Sequence, residues 1–177
     1  MKAVISILTC CATAVLLSSC ASSLSSSPTR SAPKASQGEQ AVAEQIFALI
    51  NAERAQIGKK PLRGNRGLNQ MAQKQADFMS QRSSVTTMGS MNRSQYAYLR
   101  LNVQNLTELA NATASSNTAS AVVQSWKNSP EHNRTLRQSW NTTGIGVSQG
   151  ADGKTYVTML VGVSSTGVPR SVTPIGW

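Results

Sequence analysis

Apolar residues recur at helical spacing through the first part of the body of the chain. In AVAEQIFALINAERAQI (residues 41–57), Val42, Ile46, Leu49, Ile50 and Ile57 fall at intervals of three, four and seven, as one buried face of a helix requires. Ser36-Gln37-Gly38-Glu39 stands ahead of this run with capping-box spacing, so that the serine hydroxyl and the glutamate carboxylate can each satisfy a free N–H of the first turn. Gly58 supplies the stop, followed by Lys59, Lys60 and Pro61. A second helix is expected over about Leu68–Gln81, with Leu68, Met71, Ala72, Ala76 and Met79 on one face. From Arg82 to Asn102 the pattern is irregular, polar and dotted with methionine, and reads as loop. Helical spacing returns near Thr118 and turns Ala121, Val122, Val123 and Trp126 inward, so Trp126 reads as core. Ser129 and Pro130 then take the N-cap and first position of a short fourth helix, with Glu131 and His132 in its first turn.

Near the end the pattern changes to strand. TTGIGVSQ (142–149) and KTYVTMLVGV (154–163) are rich in β-formers, and the Asp152-Gly153 pair between them marks a hairpin. Helices first, a hairpin last and no strand–helix–strand alternation place the chain in the α+β class.

The front of the chain follows different rules. MKAVISILTCCATAVLLSSC carries one charge, Lys2, then an apolar stretch from Ala3 to Leu17, then small residues. That is a secretory signal, too short and wrongly flanked for a membrane span. Cys10, Cys11 and Cys20 all lie here, leaving no cysteine for the body, so the exported domain is expected to fold without disulfides. Leu17-Ser18-Ser19-Cys20 resembles the lipobox of bacterial lipoproteins, which implies cleavage before Cys20 and acylation of that cysteine. ASSLSSSPTRSAPKASQ, residues 21–37, has too little apolar surface to bury and reads as a flexible tether, spanning roughly 20–25 Å as a random coil. The expected organisation is a signal peptide over 1–19, acylated Cys20 with its tether to 37, and one domain over 38–177. Ala21, in place of an acidic residue after Cys20, favours the outer membrane of the cell envelope if the host is Gram-negative.

Charge narrows the partners. Lys and Arg number 17 against 7 Asp and Glu, a formal net charge of +10. The basic residues run from Arg30 to Arg170 without a stripe, aromatic interleaving or finger spacing, so nucleic acid is not an expected partner. A dispersed positive surface suits anionic headgroups and envelope polymers instead.

Two blocks carry a family resemblance. The first is Leu49-Ile50-Asn51-x-Glu53-Arg54, then Gly58, Pro61-Leu62, Leu68, Ala72, Ala76 and Met79. The second is Val122-Val123-x-x-Trp126-x-x-Ser129-Pro130-x-His132, continuing to Gly144-Ile145-Gly146-Val147. Together, in this order, they resemble the CAP superfamily (cysteine-rich secretory, antigen 5 and pathogenesis-related proteins), in its disulfide-free SCP-like bacterial branch. The resemblance implies an α-β-α sandwich with a central antiparallel sheet and a cleft at one side. In many members that cleft holds two histidines and two glutamates able to bind a divalent metal. Here the first histidine position falls near Thr87. The first glutamate corresponds to Gln104, in Val103-Gln104-Asn105-Leu106, or to Glu108, and the second to Ser129. His132 is the histidine that remains, and the only one in the chain, with Glu131 beside it as a stand-in.

A catalytic zinc needs about three protein ligands, usually rich in histidine, so no metal centre is expected, although a hard cation held by oxygens stays open. Serines and Asp77 and Asp152 make a Ser-His-Asp set formally available, but no Gly-x-Ser-x-Gly elbow accompanies them. Asp77, Glu44 and Glu53 read as exposed helix charges. Asn51 and Arg54 read as polar organisers at a helix end, with Arg54 in reach of a carboxylate such as Glu108. For His132 the first expectation is structural: packing over Trp126 and a hydrogen bond to a neighbouring loop or the Asn105 region, with ligand contact next and catalysis last. The resemblance therefore implies a membrane-anchored binding or interaction module for a lipid or cell-wall ligand, with a degenerate metal cleft and no cofactor. The alternative is a metal-assisted or Ser/His hydrolase of the envelope.

Overall fold

The computed structural model describes residues 35–165. The expected signal peptide, Cys20 and nearly all of the tether lie outside the described residues. In chain order the elements are α1 (Gln37–Gln56), β1 (Arg63–Gly64), α2 (Arg66–Gln81), α3 (Ser90–Leu101), β2 (Val103–Thr113), α4 (Thr118–Asn128), α5 (Pro130–Leu136), β3 (Thr142–Gln149) and β4 (Thr155–Ser164).

α1 opens with the expected capping box. Ser36 Oγ accepts from the Glu39 N–H at 3.2 Å, and Glu39 Oε2 accepts from the Ser36 N–H at 2.7 Å. Its buried stripe is Ile46, Ile50 and Arg54, at steps of four. Leu49 and Ile57, expected inward, are exposed, because Arg54 takes the inward place one turn beyond Ile50. Asn65 caps α2, accepting from the Leu68 N–H at 3.1 Å, and Ser129 caps α5 with Pro130 at its start.

The sheet has the order β1-β3-β4-β2. β4 pairs antiparallel with both β3 and β2, so the centre is antiparallel as expected, whereas the short β1 pairs parallel with β3. Alternation along β4 then divides the core. Val157, Met159 and Val161 pack with Ile46 and Ile50 of α1 and with Val122, Val123 and Trp126 of α4. Leu160 points to the opposite face, against Leu68 and Ala72 of α2 and Ala97 of α3. Two helical layers around one sheet make the α-β-α sandwich.

Two elements differ from the sequence expectation. Residues 90–101, read as loop, form α3. Its inward residues Arg93, Ala97 and Leu101 are half-buried or buried at steps of four, while its large apolar residues face outward, so the apolar pattern carries no inward stripe to detect. β2, for which the pattern offers no element, is the longest strand at 11 residues. Its register shifts between Gln104 and Thr107, with Asn105 at a φ of 52°. This bulge interrupts the period of two that announces a strand.

α2 also closes the outer edge of β3, which β1 leaves open beyond Thr143. Asn69 Oδ1 accepts from the Ile145 N–H at 3.1 Å, and one turn on Gln73 accepts from the Val147 N–H and donates to its carbonyl at 2.7 Å. Glu39 Oε1 accepts from the Gln149 N–H at 2.9 Å. Side chains thus take the place of a missing strand and leave no edge to template aggregation there. The helix can come this close because Gly144 and Gly146 have no side chain. A Cβ on Gly146 would strike the Ala72–Gln73 backbone, and one on Gly144 the Leu68–Asn69 backbone. Gly146→Ala is therefore expected to cost about 3 kcal/mol, the upper end of overpacking, since a helix backbone must move. Gly38→Ala, with nothing within 4 Å, should not lose stability, because alanine is the better helix former by about 1 kcal/mol. Urea midpoints of the two variants check the pair.

Candidate cleft between the second helix, third helix and second strand

The best-organised polar cluster is built around Arg93. The helical spacing of α3 turns this residue inward, toward β2 and the loop after α2. All five N–H groups of the guanidinium have acceptors within the protein. Nε and one Nη2 hydrogen reach Glu108 Oε2 at 3.1 and 2.6 Å; Nη1 reaches Gln75 Oε1 at 2.8 Å and the Met88 carbonyl at 2.9 Å; Nη2 also reaches the Thr87 carbonyl at 3.2 Å. Gln75 in turn donates to the Thr86 carbonyl at 2.5 Å. One cation thereby holds together α2, the loop after it, α3 and β2.

Glu108 reaches this cluster because β2 regains regular pairing past the bulge, with Glu108 opposite Leu160 and so on the α2/α3 face. Its side chain is only 5% exposed, and its Oε1 has no hydrogen-bond partner. Burial pushes the carboxyl above the ordinary carboxylate range, and the Arg93 guanidinium offsets only part of that.

The positions singled out from sequence fall into three places. Thr87, exposed in the loop, and Glu108 meet at Arg93. Gln104 stands on the far side of the bulge and lines a separate shallow hollow with Ser94, Tyr98 and Asn105. Ser129, Glu131 and His132 lie at the start of α5. There Ser129 Oγ accepts a long bond, 3.5 Å, from the His132 N–H, Glu131 is exposed, and the His132 ring is half-buried. The bond expected from the imidazole to the Asn105 region is not made; Asn105 is exposed on the bulge. Trp126 is fully buried, as expected.

Arg54 is an organiser, and its partner is not Glu108. It lies 2% exposed and donates to the carbonyls of Lys60, Leu136, Gln138 and Trp140 at 2.7–3.1 Å. Asn51 holds the Leu62 backbone by both its N–H and its carbonyl. Glu44 is exposed as expected, but Glu53 pairs with Lys127 at 2.6 Å and Asp77 accepts from Gln73 at 2.8 Å, both half-buried. Sequence reasoning missed Arg93 and Gln75. The available signal was the 93–97–101 spacing, which places an arginine on the same helix face as two core residues.

Among the described residues, no three of His, Cys, Asp and Glu gather in a group that could hold a metal ion. The residues at the family's metal positions do not fit one. With either Gln104 or Glu108 beside Thr87, Ser129 and His132 the set holds at most one acid, and a divalent ion on the free oxygen of Glu108 would sit beside a guanidinium already 2.6 Å from the other.

A sheet between two helical layers, with the Arg93–Glu108 cluster where α2, α3 and β2 meet, has the architecture of a CAP-type domain. The chain belongs to the cysteine-rich secretory protein family, whose model matches residues 47–161. Among solved structures it is similar to an outer surface protein of Borrelia burgdorferi, at 16% identity and a TM-score of 0.62, covering 71% of this chain and 95% of that one. It is also similar to a cysteine-rich secretory protein of Staphylococcus aureus, at 17% identity and a TM-score of 0.57, covering 73% of this chain but 41% of that one. The chain thus spans less than half the length of the staphylococcal protein. A third similar structure is NaASP2, solved with Zn2+, at 10% identity and a TM-score of 0.50, covering 78% of this chain and 88% of that one. A search of curated protein sequences gives no significant match. No helix among the described residues is long and apolar enough to cross a membrane.

Proposed function

We propose that this CAP domain is a non-catalytic binding module of the bacterial cell envelope, held at a membrane by acylated Cys20 and working without a resident metal. The observation that carries this reading is the saturated Arg93. The acid of the cleft already has a permanent cation, supplied by the chain itself, with every donor of that cation spent on the protein. Such an arrangement fixes the shape of the site and sets a cation beside the one free carboxylate oxygen, which disfavours a resident metal there. His132 is half-buried at the start of α5, apart from this cluster, and its backbone N–H is held by Ser129. The ligand class is an envelope lipid or a cell-wall fragment.

The test is a thermal-shift series on the chain from residue 20 onward with Cys20→Ser, against Zn2+, Ca2+, Mg2+, phospholipids and muropeptides. No shift with any metal, no change in chelator, and a concentration-dependent rise with one organic ligand are expected, since anything that binds only the native state must stabilise it. A Zn2+ shift that disappears in His132→Ala overturns the reading. So does hydrolysis of cell-wall peptide that His132→Ala abolishes at unchanged melting temperature. Palmitate labelling of the full chain in a bacterial host, lost in Cys20→Ala, checks the anchor.

A further inference from the structure

The outward face of α3 is built the wrong way round for a soluble surface. With 3.6 residues per turn, Arg93, Ala97 and Leu101 point into the protein, which leaves Met91, Tyr96, Tyr98 and Leu99 outside, and Met91 is 83% exposed. The preceding loop adds Val85 and Met88, the latter 69% exposed. Met88 borders a hollow of about 360 Å³ lined also by Met71, Phe78 and Lys74, with Gln75 and Arg93 of the cluster on its wall. Isolated exposed apolar residues are ordinary, but a contiguous set on one helix and its loop marks an interaction surface.

From Lys74 to Thr107 the charged residues are four cations, Lys74, Arg82, Arg93 and Arg100, and one acid, Asp77, which accepts from Gln73. Glu108 neutralises Arg93. Arg82 lies over the Phe78 ring, 4.3 Å from its centroid, while Arg100 and Lys74 are exposed. A second copy of the face would bring like charges together, which disfavours self-association. The occupant must therefore be apolar and anionic at once. α3 is also exposed round most of its girth, and the hollows beside it are wide and open, which suits a broad surface better than a single gripped side chain. A short helix with methionine, leucine and tyrosine outward, flanked by cations and free of acids, matches the boundary between headgroups and acyl chains.

We infer that the α3 face, with Met88 and Met91 at its centre and Lys74, Arg82 and Arg100 at its rim, docks directly on the surface of an anionic lipid bilayer. This contact is separate from any lipid anchor. It sets the orientation of the domain on the membrane, with the Arg93–Glu108 cluster on the inner side of the docked helix.

The test is cosedimentation of the chain from residue 20 onward, carrying Cys20→Ser so that no acyl chain contributes, with vesicles of phosphatidylglycerol or of phosphatidylcholine. Binding to phosphatidylglycerol is expected, weakened as salt is raised from about 0.1 to about 1 M and the screening length falls from ~10 to ~3 Å. Met91→Ser with Leu99→Ser should lower the partition coefficient by about tenfold or more, and Lys74→Glu with Arg100→Glu by about fivefold or more per residue. Leu49→Ser, which alters an exposed leucine on α1, should leave it unchanged. Because the α3 residues are exposed, an unaltered circular-dichroism melt shows that the variants remain folded. Equal binding to both lipids, or face variants that bind as the parent does, overturns the inference. A dimer that Met91→Ser with Leu99→Ser dissociates also overturns it, since the occupant is then a second copy.

Discussion

Arg54→Met is expected to lower the unfolding free energy by about 3–5 kcal/mol, because the buried carbonyls of Leu136 and Trp140 lose the Arg54 donor at once. Arg54 is a buried cation without a carboxylate partner. Its charge is met by carbonyl dipoles: Lys60 in the turn after α1, Leu136 at the end of α5, and Gln138 and Trp140 on the approach to β3. The bonds to Leu136 and Trp140 are buried, so water cannot replace them without opening the structure. At the end of α5 the guanidinium also meets the negative pole of the helix. Methionine matches much of the buried stem but donates nothing, so the loss isolates the hydrogen bonds from the packing. Against a total stability of about 5–15 kcal/mol for a domain, a change of this size lowers the midpoint of urea unfolding by more than about 1 M. Arg54→Lys should recover only a small part, since one ammonium cannot span four carbonyls spread over three segments. A Met variant within about 1 kcal/mol of the parent would show that these carbonyls find other partners.

The same residue shows how legible the fold was. The resemblance placed Arg54 at a helix end as an organiser, and the structure agrees. Its partners could not be read, because they are backbone carbonyls from residues 60, 136, 138 and 140, and carbonyls carry no sequence signature. The elements with a clean period were all visible: α1, α2, α4, α5 and the β3–β4 hairpin. α3 was hidden because its apolar residues face solvent, which is the opposite of what a periodicity argument assumes. β2 was hidden by its bulge and by a stretch between Val103 and Leu109 in which Leu106 is the one apolar residue among Gln104, Asn105, Thr107 and Glu108. The cleft inherited both gaps. Thr87 and Glu108 were in view, but the residue that joins them lies on the helix that the pattern concealed.

Arg93→Met, the second large effect, should cost about 3–5 kcal/mol at neutral pH, the usual price of removing one partner from a buried ion pair. The cost arises at Glu108, which keeps a side chain 5% exposed and an oxygen already without a partner. In the parent protein burial already raises the Glu108 pKa, and Arg93 lowers it by hydrogen bonding and by charge. Removing Arg93 deletes both opposing influences, so the folded-state pKa moves further up. A carboxyl whose pKa is higher folded than unfolded contributes stability below the unfolded value and loses it as pH rises through the folded value. Acidification from neutral toward the ordinary carboxylate range should therefore return part of the stability lost in Arg93→Met, relative to the same titration of the parent. Adding Glu108→Gln should remove this pH dependence and recover much of the loss at neutral pH, because no buried charge is then left alone. A double-mutant cycle of urea midpoints at two pH values reads both effects. If instead the Arg93→Met penalty is the same with and without Glu108→Gln and does not change with pH, Arg93 acts by packing and by its bonds to Gln75, Thr87 and Met88, and its role as the cation of the cleft falls.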